Sequence, residues 1–366
     1  MKNIILIFSV IFLVGCSDES VNIDSQSIDK KETFNWRLVT SWPKNYPGLG
    51  MAPERIADLV EEMSDGQMKI TVYGAEEQVP AFGVFDAVSS GSHQMGHSGG
   101  YFWKGKVPAA QFFTSVPFGL TADEINAWVN RGGGLELWRE IYAPFNIYPI
   151  PAGNTGTQMF GWFNKEINSL EDVKGLKMRI PGIGGEVLKE AGGIPVTLPG
   201  GELFTALQTG VIDATEWVGP YNDYFMKFYE AAKFYYTGGM HEPGSCLGMG
   251  FNASFWSKLS KTEQALITAA CMEEHAAQYE ETCAKNGEYL EILVKDHGTK
   301  VKSFNDDVWD AFGEAAAEVF EETRAHSAMA KKVDDAYQGF MKECGTMMAN
   351  FEISYVNQRN RVLDIS

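Results

Sequence analysis

Positive charge is scarce in this chain. Lysine and arginine together number 30 against 48 aspartates and glutamates in 366 residues, which gives a formal net charge of -18. A protein with that balance repels the phosphates of nucleic acids and the headgroups of anionic lipids. We therefore expect no nucleic-acid partner, and an anionic ligand would need local positive groups that outweigh the field of the whole protein.

Cysteine is also scarce, with five residues in the chain. Cys271 and Cys283 lie on one predicted helix, where their separation of roughly 18 Å is too large for a disulfide bond. No cysteine spacing fits a structural zinc site. We therefore expect mostly buried thiols rather than a disulfide framework.

Enzyme motifs give little support for catalysis. The chain has no H-E-x-x-H motif, and the glycine-rich stretch Pro181–Gly185 lacks the spacing of a dinucleotide-binding loop. His93 and His97 have a spacing that suits a metal site on a helix, but a strand would hold them roughly 13 Å apart. The sequence therefore favours a protein that is not an enzyme.

The N-terminal apolar run is too short to span a bilayer. Residues 1–16 (MKNIILIFSVIFLVGC) place Lys2 before eleven apolar residues, whereas a spanning helix needs about 20. This pattern is typical of a signal peptide that is cleaved on export. Its end, LVGC, resembles a bacterial lipobox and predicts that lipidated Cys16 anchors the mature protein to a membrane in the periplasm. The alternative is an ordinary signal peptide that contains a cysteine, and residues 17–33 are expected to form a flexible tether.

Strand-like and helix-like segments alternate along the rest of the chain. Residues 36–98 read as a β-α-β-α-β unit, which implies parallel strands joined by helical crossovers. A second alternating set follows from residue 146, and long helices are predicted at 262–296, 307–324 and 330–357. The sequence thus predicts an α/β fold with two lobes, a hinge and long C-terminal helices.

The predicted lobes define where a ligand would bind. Residues 34–145 are expected to form mainly lobe I, residues 146–250 mainly lobe II, and residues 251–366 a helical part that crosses the lobes. A crevice between two such lobes suits capture of a ligand by hinge closure. Ligands of open α/β sheets bind beyond the carboxyl ends of the strands, so the candidate residues should lie there.

Four polar positions meet that expectation. Arg179 ends a predicted strand (LKMRI), where its planar guanidinium could hold a carboxylate with two hydrogen bonds, although an ion pair with a nearby acid is about as plausible. Glu216 ends another strand, and Gln158 lies early in the predicted strand TQMFGWF. Glu242 lies in a loop between strands. Glu216 could be an ordinary surface charge, or it could join Gln158 and the Trp217 backbone as oxygen ligands of a hard cation such as sodium or calcium.

Two longer stretches carry a family resemblance. The segments SLEDVKGLKMRIPG (169–182) and ELFTALQTGVIDATE (202–216) resemble the solute-binding proteins of TRAP transporters, the tripartite ATP-independent periplasmic type. The similarity extends from about Trp36 to the C-terminal helices and is strongest to the subgroup that binds 2-oxo acids and lactate-like acids.

The resemblance implies roles for the candidate residues. It assigns the substrate carboxylate to Arg179 and a metal ion to Gln158, Glu216 and the backbone of Trp217. It places Glu242 near the same pocket, where we expect it to contribute to substrate and metal binding. The corresponding aromatic of lobe I is Tyr101, which could close over the ligand or simply pack in the core.

The resemblance also implies function and partners. We expect a receptor that captures a small organic acid together with sodium or calcium and delivers it to TRAP membrane subunits. A long C-terminal helix exchanged between protomers in that subgroup implies a homodimer, although the apolar stripe of this helix could also pack on its own chain. The alternative function is a lipoprotein sensor that presents a carboxylate ligand to a signalling receptor.

Overall fold

A computed structural model describes residues 33–365 of the chain. The predicted signal peptide, Cys16 and nearly all of the predicted tether lie outside the described residues. Residues from Thr33 onward form one compact unit. No helix within the described part is both long enough and apolar enough to cross a bilayer.

The first of two sheets is mainly built from the N-terminal part of the chain. Its strands are β1 (Phe34–Thr40), β2 (Met68–Tyr73), β3 (Met95–Ser98), β4 (Ile147–Asn154) and β10 (Cys246–Asn252), in the order β2-β1-β3-β10-β4. β1 pairs in parallel with β2 and β3, as the β-α-β-α-β pattern predicted, and β10 is antiparallel to β3 and β4.

The second sheet contains six short strands. They are β5 (Gly161–Phe163), β6 (Lys177–Arg179), β7 (Ile194–Val196), β8 (Ala214–Thr215), β9 (Phe234–Tyr236) and β11 (Lys300–Lys302). Their order in the sheet is β11-β9-β5-β8-β6-β7. β6 pairs in parallel with β7 and β8, β5 is antiparallel to β8 and β9, and β11 is parallel to β9.

The α-helices of the described residues surround both sheets. They are α1 (Ala52–Met63), α2 (Val84–Ser89), α3 (Ala122–Arg131), α4 (Gly134–Tyr142), α5 (Leu170–Val173), α6 (Gly182–Glu190), α7 (Leu203–Gln208), α8 (Pro220–Met226), α9 (Phe228–Ala231), α10 (Ala253–Trp256), α11 (Lys261–Lys295), α12 (Asp306–Ala325), α13 (Ala328–Met348) and α14 (Ser354–Leu363).

Three features of the structure depart from the predictions. The helices α3 and α4 were not predicted, although Thr121 and Glu124 form a capping box that starts α3. The last predicted helix is divided by a π-helical segment at Ala349–Ile353. Two of the four cysteines among the described residues are buried as expected, but Cys283 is exposed and Cys344 only half-buried.

Sheet membership crosses the predicted lobe boundaries. β4 and most of β10 fall within residues 146–250 but pair into the first sheet, whereas β11 lies C-terminal to that range and pairs into the second sheet. Each sheet is therefore completed by parts of the chain that are distant in sequence. The boundaries at 145/146 and 250/251 remain a prediction.

The hydrophobic core continues across both sheets. One buried cluster joins Trp42, which follows β1, to Trp162 in β5 and Trp217 after β8. The ring centroids of Trp42 and Trp217 are 6.3 Å apart. This contact brings the loops at the ends of the two sheets together, and the candidate residues lie beside it.

Candidate functional site

The register of the second sheet gathers the candidate residues at one edge. β6 and β8 are parallel, so Arg179, the last residue of β6, lies beside Thr215, and Glu216 follows immediately. β5 is antiparallel to β8, so its first residue, Gly161, lies at the same edge. β9 ends there too, because it is antiparallel to β5. The carboxyl ends of β6, β8 and β9 thus meet the segment that precedes β5.

Gln158 lies in that segment and not within a strand, so the predicted strand over 157–163 is too long. Its backbone is held instead by the loop after β9: its N–H donates to the carbonyl of Glu242 (3.1 Å), and its carbonyl accepts from Gly239 (3.1 Å). These two bonds bring Gln158 and Glu242 together although they are far apart in the sequence.

Two glycines allow the close packing at this edge. Gly161 has φ +127°, and a Cβ there would lie 2.3 Å from the carbonyl oxygen of Thr215. A Cβ at Gly200 would lie 2.4 Å from the indole ring of Trp217. Any larger residue at either position would displace β8 or the Trp217 ring.

Arg179 and Glu216 form a buried ion pair. Their side chains are 3% and 1% exposed, and Nη1 of Arg179 donates to Oε1 of Glu216. Nε of Arg179 donates to the carbonyl of Leu198 (3.1 Å), and its guanidinium carbon lies 5.6 Å from the centre of the Trp217 ring. The bonds to Glu216 and Leu198 use two of the five N–H donors of the guanidinium, which leaves donors for a bound acid.

The second group of polar side chains surrounds Glu242. Oε2 of Glu242 accepts hydrogen bonds from Nε2 of Gln158 (2.8 Å) and from the hydroxyl of Ser245. Burial, together with the negative charge of Glu216, raises the pKa of Glu242 to about 8. Arg179 is one positive group beside Glu216 and Glu242, and two carboxylates this close repel each other. A metal cation between Glu216 and Glu242 would therefore be stabilised strongly.

Side-chain atoms without hydrogen-bond partners also favour a cation at this place. Glu216, His241 and Glu242 each offer one ligand atom within 4.8 Å of the others. Oε1 of Gln158 and both ring nitrogens of His241 are buried without a hydrogen-bond partner among the described residues. Carboxylate and amide oxygens suit a hard cation better than an imidazole does. The residues present therefore fit sodium or calcium, with oxygens from Gln158, Glu216 and Glu242.

Tyr101 faces this group from the other sheet. It follows β3, and a Cβ on Gly182, three residues beyond Arg179, would lie 3.0 Å from Cβ of Tyr101. Burial, with the charges of Glu242 and Glu216, raises the pKa of the Tyr101 hydroxyl well above its usual range. Near it, Lys104 donates to the carbonyl of Gly182 (3.3 Å) and to Glu186 (2.7 Å). Residues after β3 thus close one side of the cleft.

The segment Gly96–Gly100 (GHSGG) fits the G-x-S-x-G pattern of a nucleophilic serine. The hydroxyl of Ser98 lies 2.6 Å from that of Ser41. Nδ1 of His97 accepts from the Trp42 indole (2.9 Å), and Nε2 lies 2.9 Å from the carbonyl of Ala152. Both ring nitrogens are thus occupied by structural bonds, and His97 cannot serve Ser98 as a base.

All six candidate residues within the described part of the chain lie close together where the ends of the two sheets meet: Tyr101, Gln158, Arg179, Glu216, Trp217 and Glu242. The sequence analysis missed two further residues. His241 belongs to the cluster, and its place directly before Glu242 was the available signal. Asp223 is buried beneath the Trp217 backbone, and a carboxylate one turn into a helix gives no such signal.

Two α/β sheets that meet at a buried, charged cleft define a two-lobed binding protein. The model of the bacterial extracellular solute-binding protein family 7 matches residues 38–326. The chain therefore belongs to that family, the DctP family of TRAP solute-binding proteins, as the motifs at 169–182 and 202–216 predicted.

One relative whose name states its ligand is similar to nearly the whole chain. The monocarboxylate 2-oxoacid-binding periplasmic protein of Nostoc sp. is 43% identical over 345 residues, which cover 94% of this chain and 93% of the relative.

Two solved structures have the same fold. A TRAP periplasmic solute-binding protein from Colwellia psychrerythraea with bound calcium and pyruvate has a TM-score of 0.86 and 40% identity, covering 89% of this chain and 100% of that one. A protein of the same type from Pseudoalteromonas atlantica with bound sodium and pyruvate has a TM-score of 0.86 and 40% identity, covering 89% and 99%. The predicted two-lobed α/β fold is confirmed.

Proposed function

We propose that this protein is the extracytoplasmic receptor of a TRAP transporter and captures a small 2-oxo acid, such as pyruvate, or lactate, together with sodium or calcium. The observation that carries the proposal is the buried cleft in which Arg179 lies beside Glu216, Glu242 and the unpaired oxygen of Gln158. Pyruvate with calcium or sodium in the two solved relatives supports it.

The proposed binding mode is a chelate. A 2-oxo acid offers one carboxylate oxygen and its keto oxygen to the cation, and the other carboxylate oxygen accepts from Arg179. Gln158, Glu216, the Trp217 carbonyl and Glu242 supply the protein's oxygens to the cation. Glu216 thereby contacts both the cation and the Arg179 guanidinium, which fits its hydrogen bond with Arg179.

Tyr101 has a separate role in this proposal. Its ring closes the cleft from the side of the first sheet, where it meets the short carbon chain of the acid and excludes water. Exclusion of water strengthens the interactions of the acid with Arg179 and the cation. Lys104, which reaches Gly182 and Glu186 across the cleft, holds the closed arrangement.

We further propose delivery of the acid to TRAP membrane subunits, lipid anchoring at Cys16 and a homodimer. Anchoring would keep the receptor near its transporter. For the dimer, the support is α14, which carries exposed apolar side chains that an isolated protomer leaves in water, among them Tyr355, Val362 and Leu363.

Calorimetric titration of pyruvate tests the proposed function. Protein treated with a chelator and exchanged into sodium-free buffer is expected to bind pyruvate only after sodium or calcium is added. Replacing the charge of a cation ligand while keeping its shape, Glu216→Gln, should weaken cation-dependent binding by more than about tenfold, because ligand charge sets the affinity for hard cations.

The matched control is Glu190→Gln, an exposed carboxylate at the end of α6, which should bind as the wild type does. Equal binding by chelated and cation-loaded wild-type protein would refute the cation's role. Equal binding by the Glu216 and Glu190 variants would refute the assigned site.

A further inference from the structure

We propose that Asp223 is a positioning residue that orients and polarises the Trp217–Val218 peptide, so that the Trp217 carbonyl can hold the bound cation. This inference rests on the proposed function, which makes that carbonyl a cation ligand. Asp223 itself does not touch the substrate or the cation.

Asp223 is an unusual residue for its surroundings. It lies on α8 with a side chain that is 0% exposed. Its Oδ2 accepts hydrogen bonds from the Trp162 indole (2.9 Å) and the Tyr235 hydroxyl (2.8 Å), and its Oδ1 accepts from the backbone N–H of Val218 (3.1 Å). Burial raises the pKa of Asp223 to about 7. A buried carboxyl group is costly, and here three hydrogen bonds offset part of that cost.

Peptide geometry links this carboxylate to the cation site. The Val218 N–H and the Trp217 carbonyl belong to one peptide unit, and every described peptide bond is trans. In a planar trans unit these two groups point in opposite directions. An N–H directed at Asp223, below the cleft, therefore directs the Trp217 carbonyl away from Asp223.

The same bond affects the carbonyl electronically. When the N–H of a peptide donates a hydrogen bond, the carbonyl oxygen of the same peptide becomes more negative, since hydrogen bonds in series polarise one another. A more negative oxygen is a better ligand for sodium or calcium. Partners of this kind behind metal ligands typically change affinity 10- to 100-fold.

Neighbouring bonds fix the rest of the segment but not this peptide. Glu216 N–H donates to the Arg179 carbonyl (3.2 Å), and the Val218 carbonyl accepts from Met159 (2.9 Å). Between these two anchors, Asp223 holds the N–H of the unit that contains the Trp217 carbonyl. Removing its acceptor would free that unit to rotate.

The chain supplies a matched control. Tyr235→Phe removes one hydrogen bond from the same carboxylate and keeps the Val218 bond and the ring stacked on Trp162 (centroids 4.1 Å apart). Asp223→Asn keeps the size of the side chain but cannot accept from all three donors. A merely structural role predicts similar effects of the two substitutions on cation affinity, whereas a positioning role predicts different ones.

A selective label makes the peptide visible. Carbonyl-13C tryptophan with 15N valine reports only Trp–Val junctions, of which the sequence has two, Trp217–Val218 and Trp128–Val129. The second lies in α3 and serves as an internal reference. Adding calcium chloride with pyruvate should shift the Trp217–Val218 signal and leave the reference in place.

The expected affinities follow from the same experiment. Asp223→Asn should weaken calcium binding in the presence of pyruvate about 10- to 100-fold, with an altered Val218 N–H shift before calcium is added. Tyr235→Phe should stay within about threefold of wild type. Equal calcium affinities for Asp223→Asn and wild type, or equal weakening by both variants, would overturn the inference.

Two other outcomes also decide the question. If Asp223→Asn does not fold, the wild-type titration still tests the carbonyl contact on which the inference depends, because a Trp217–Val218 signal that stays unmoved on calcium binding overturns it. If the wild-type protein binds no pyruvate with either cation, the proposed function fails, and the inference falls with it.

Discussion

Loss of the Arg179 guanidinium should abolish capture of the acid. Arg179→Met keeps most of the apolar volume of the side chain and removes every donor. In the structure those donors contact Glu216 and the Leu198 carbonyl, and in the proposed complex they also hold the substrate carboxylate. Glu216 would then lack its ion-pair partner, and the bound cation would offset part of its negative charge.

The magnitude follows from the bonds lost. Each hydrogen bond between charged groups contributes about 1.5–3 kcal/mol, so two bonds to the carboxylate contribute about 3–6 kcal/mol. Since 1.4 kcal/mol corresponds to a factor of ten, pyruvate affinity should fall at least about 100-fold. The lower limit is the safer expectation, because the chelated cation still binds the acid.

Isothermal titration calorimetry with pyruvate and calcium measures this loss. The matched control is Arg131→Met at the end of α3, where the exposed guanidinium bonds only to the carbonyl of the adjacent Asn130 among the described residues. Circular dichroism of both variants checks that they fold. A folded Arg179→Met protein that binds pyruvate within about threefold of the control would refute the assignment of Arg179.

Two further perturbations test other parts of the structure. Burial lowers the pKa of His97 to about 4; the unfolded chain therefore takes up a proton near pH 6.5 that the folded protein refuses, and this stabilising contribution is lost as the pH falls. His97→Gln can still accept one hydrogen bond and donate one, but it does not titrate. As the pH falls from 7 to 4, the free energy of unfolding of this variant relative to wild type should therefore rise by about 3 kcal/mol. A difference in urea unfolding that stays constant with pH would contradict this. If the protein forms the proposed dimer, removal of residues 350–366, which include the exposed Phe351, should give a monomer with unchanged pyruvate affinity. Light scattering measures the mass, and an unchanged dimer mass would exclude this segment from the interface.

The positions of Arg179 and Glu216 followed from the sequence for a general reason. Parallel strands joined by crossovers direct their carboxyl ends to one edge, so the polar residues that end LKMR and ATE are expected to meet there. The structure places the two residues side by side because β6 and β8 pair directly.

The contacts of Gln158 and Glu242 could not be predicted in the same way. They depend on loops after β4 and β9 that pair with each other through a few backbone hydrogen bonds, and no periodicity in the sequence predicts such pairing. His241 and Asp223 were missed for a related reason, since burial of a polar side chain depends on the residues packed around it.

The sequence by itself determined the family, the alternation of strands and helices, and the chemistry of the candidate side chains, because these depend on local order along the chain. The tertiary structure decided that Tyr101 meets the same cleft, that Arg179 is already paired with Glu216, and that β4 and β10 complete the first sheet. Those features depend on packing between residues more than 30 positions apart, where many pairings are compatible with one hydrophobic pattern and only the assembled core selects among them.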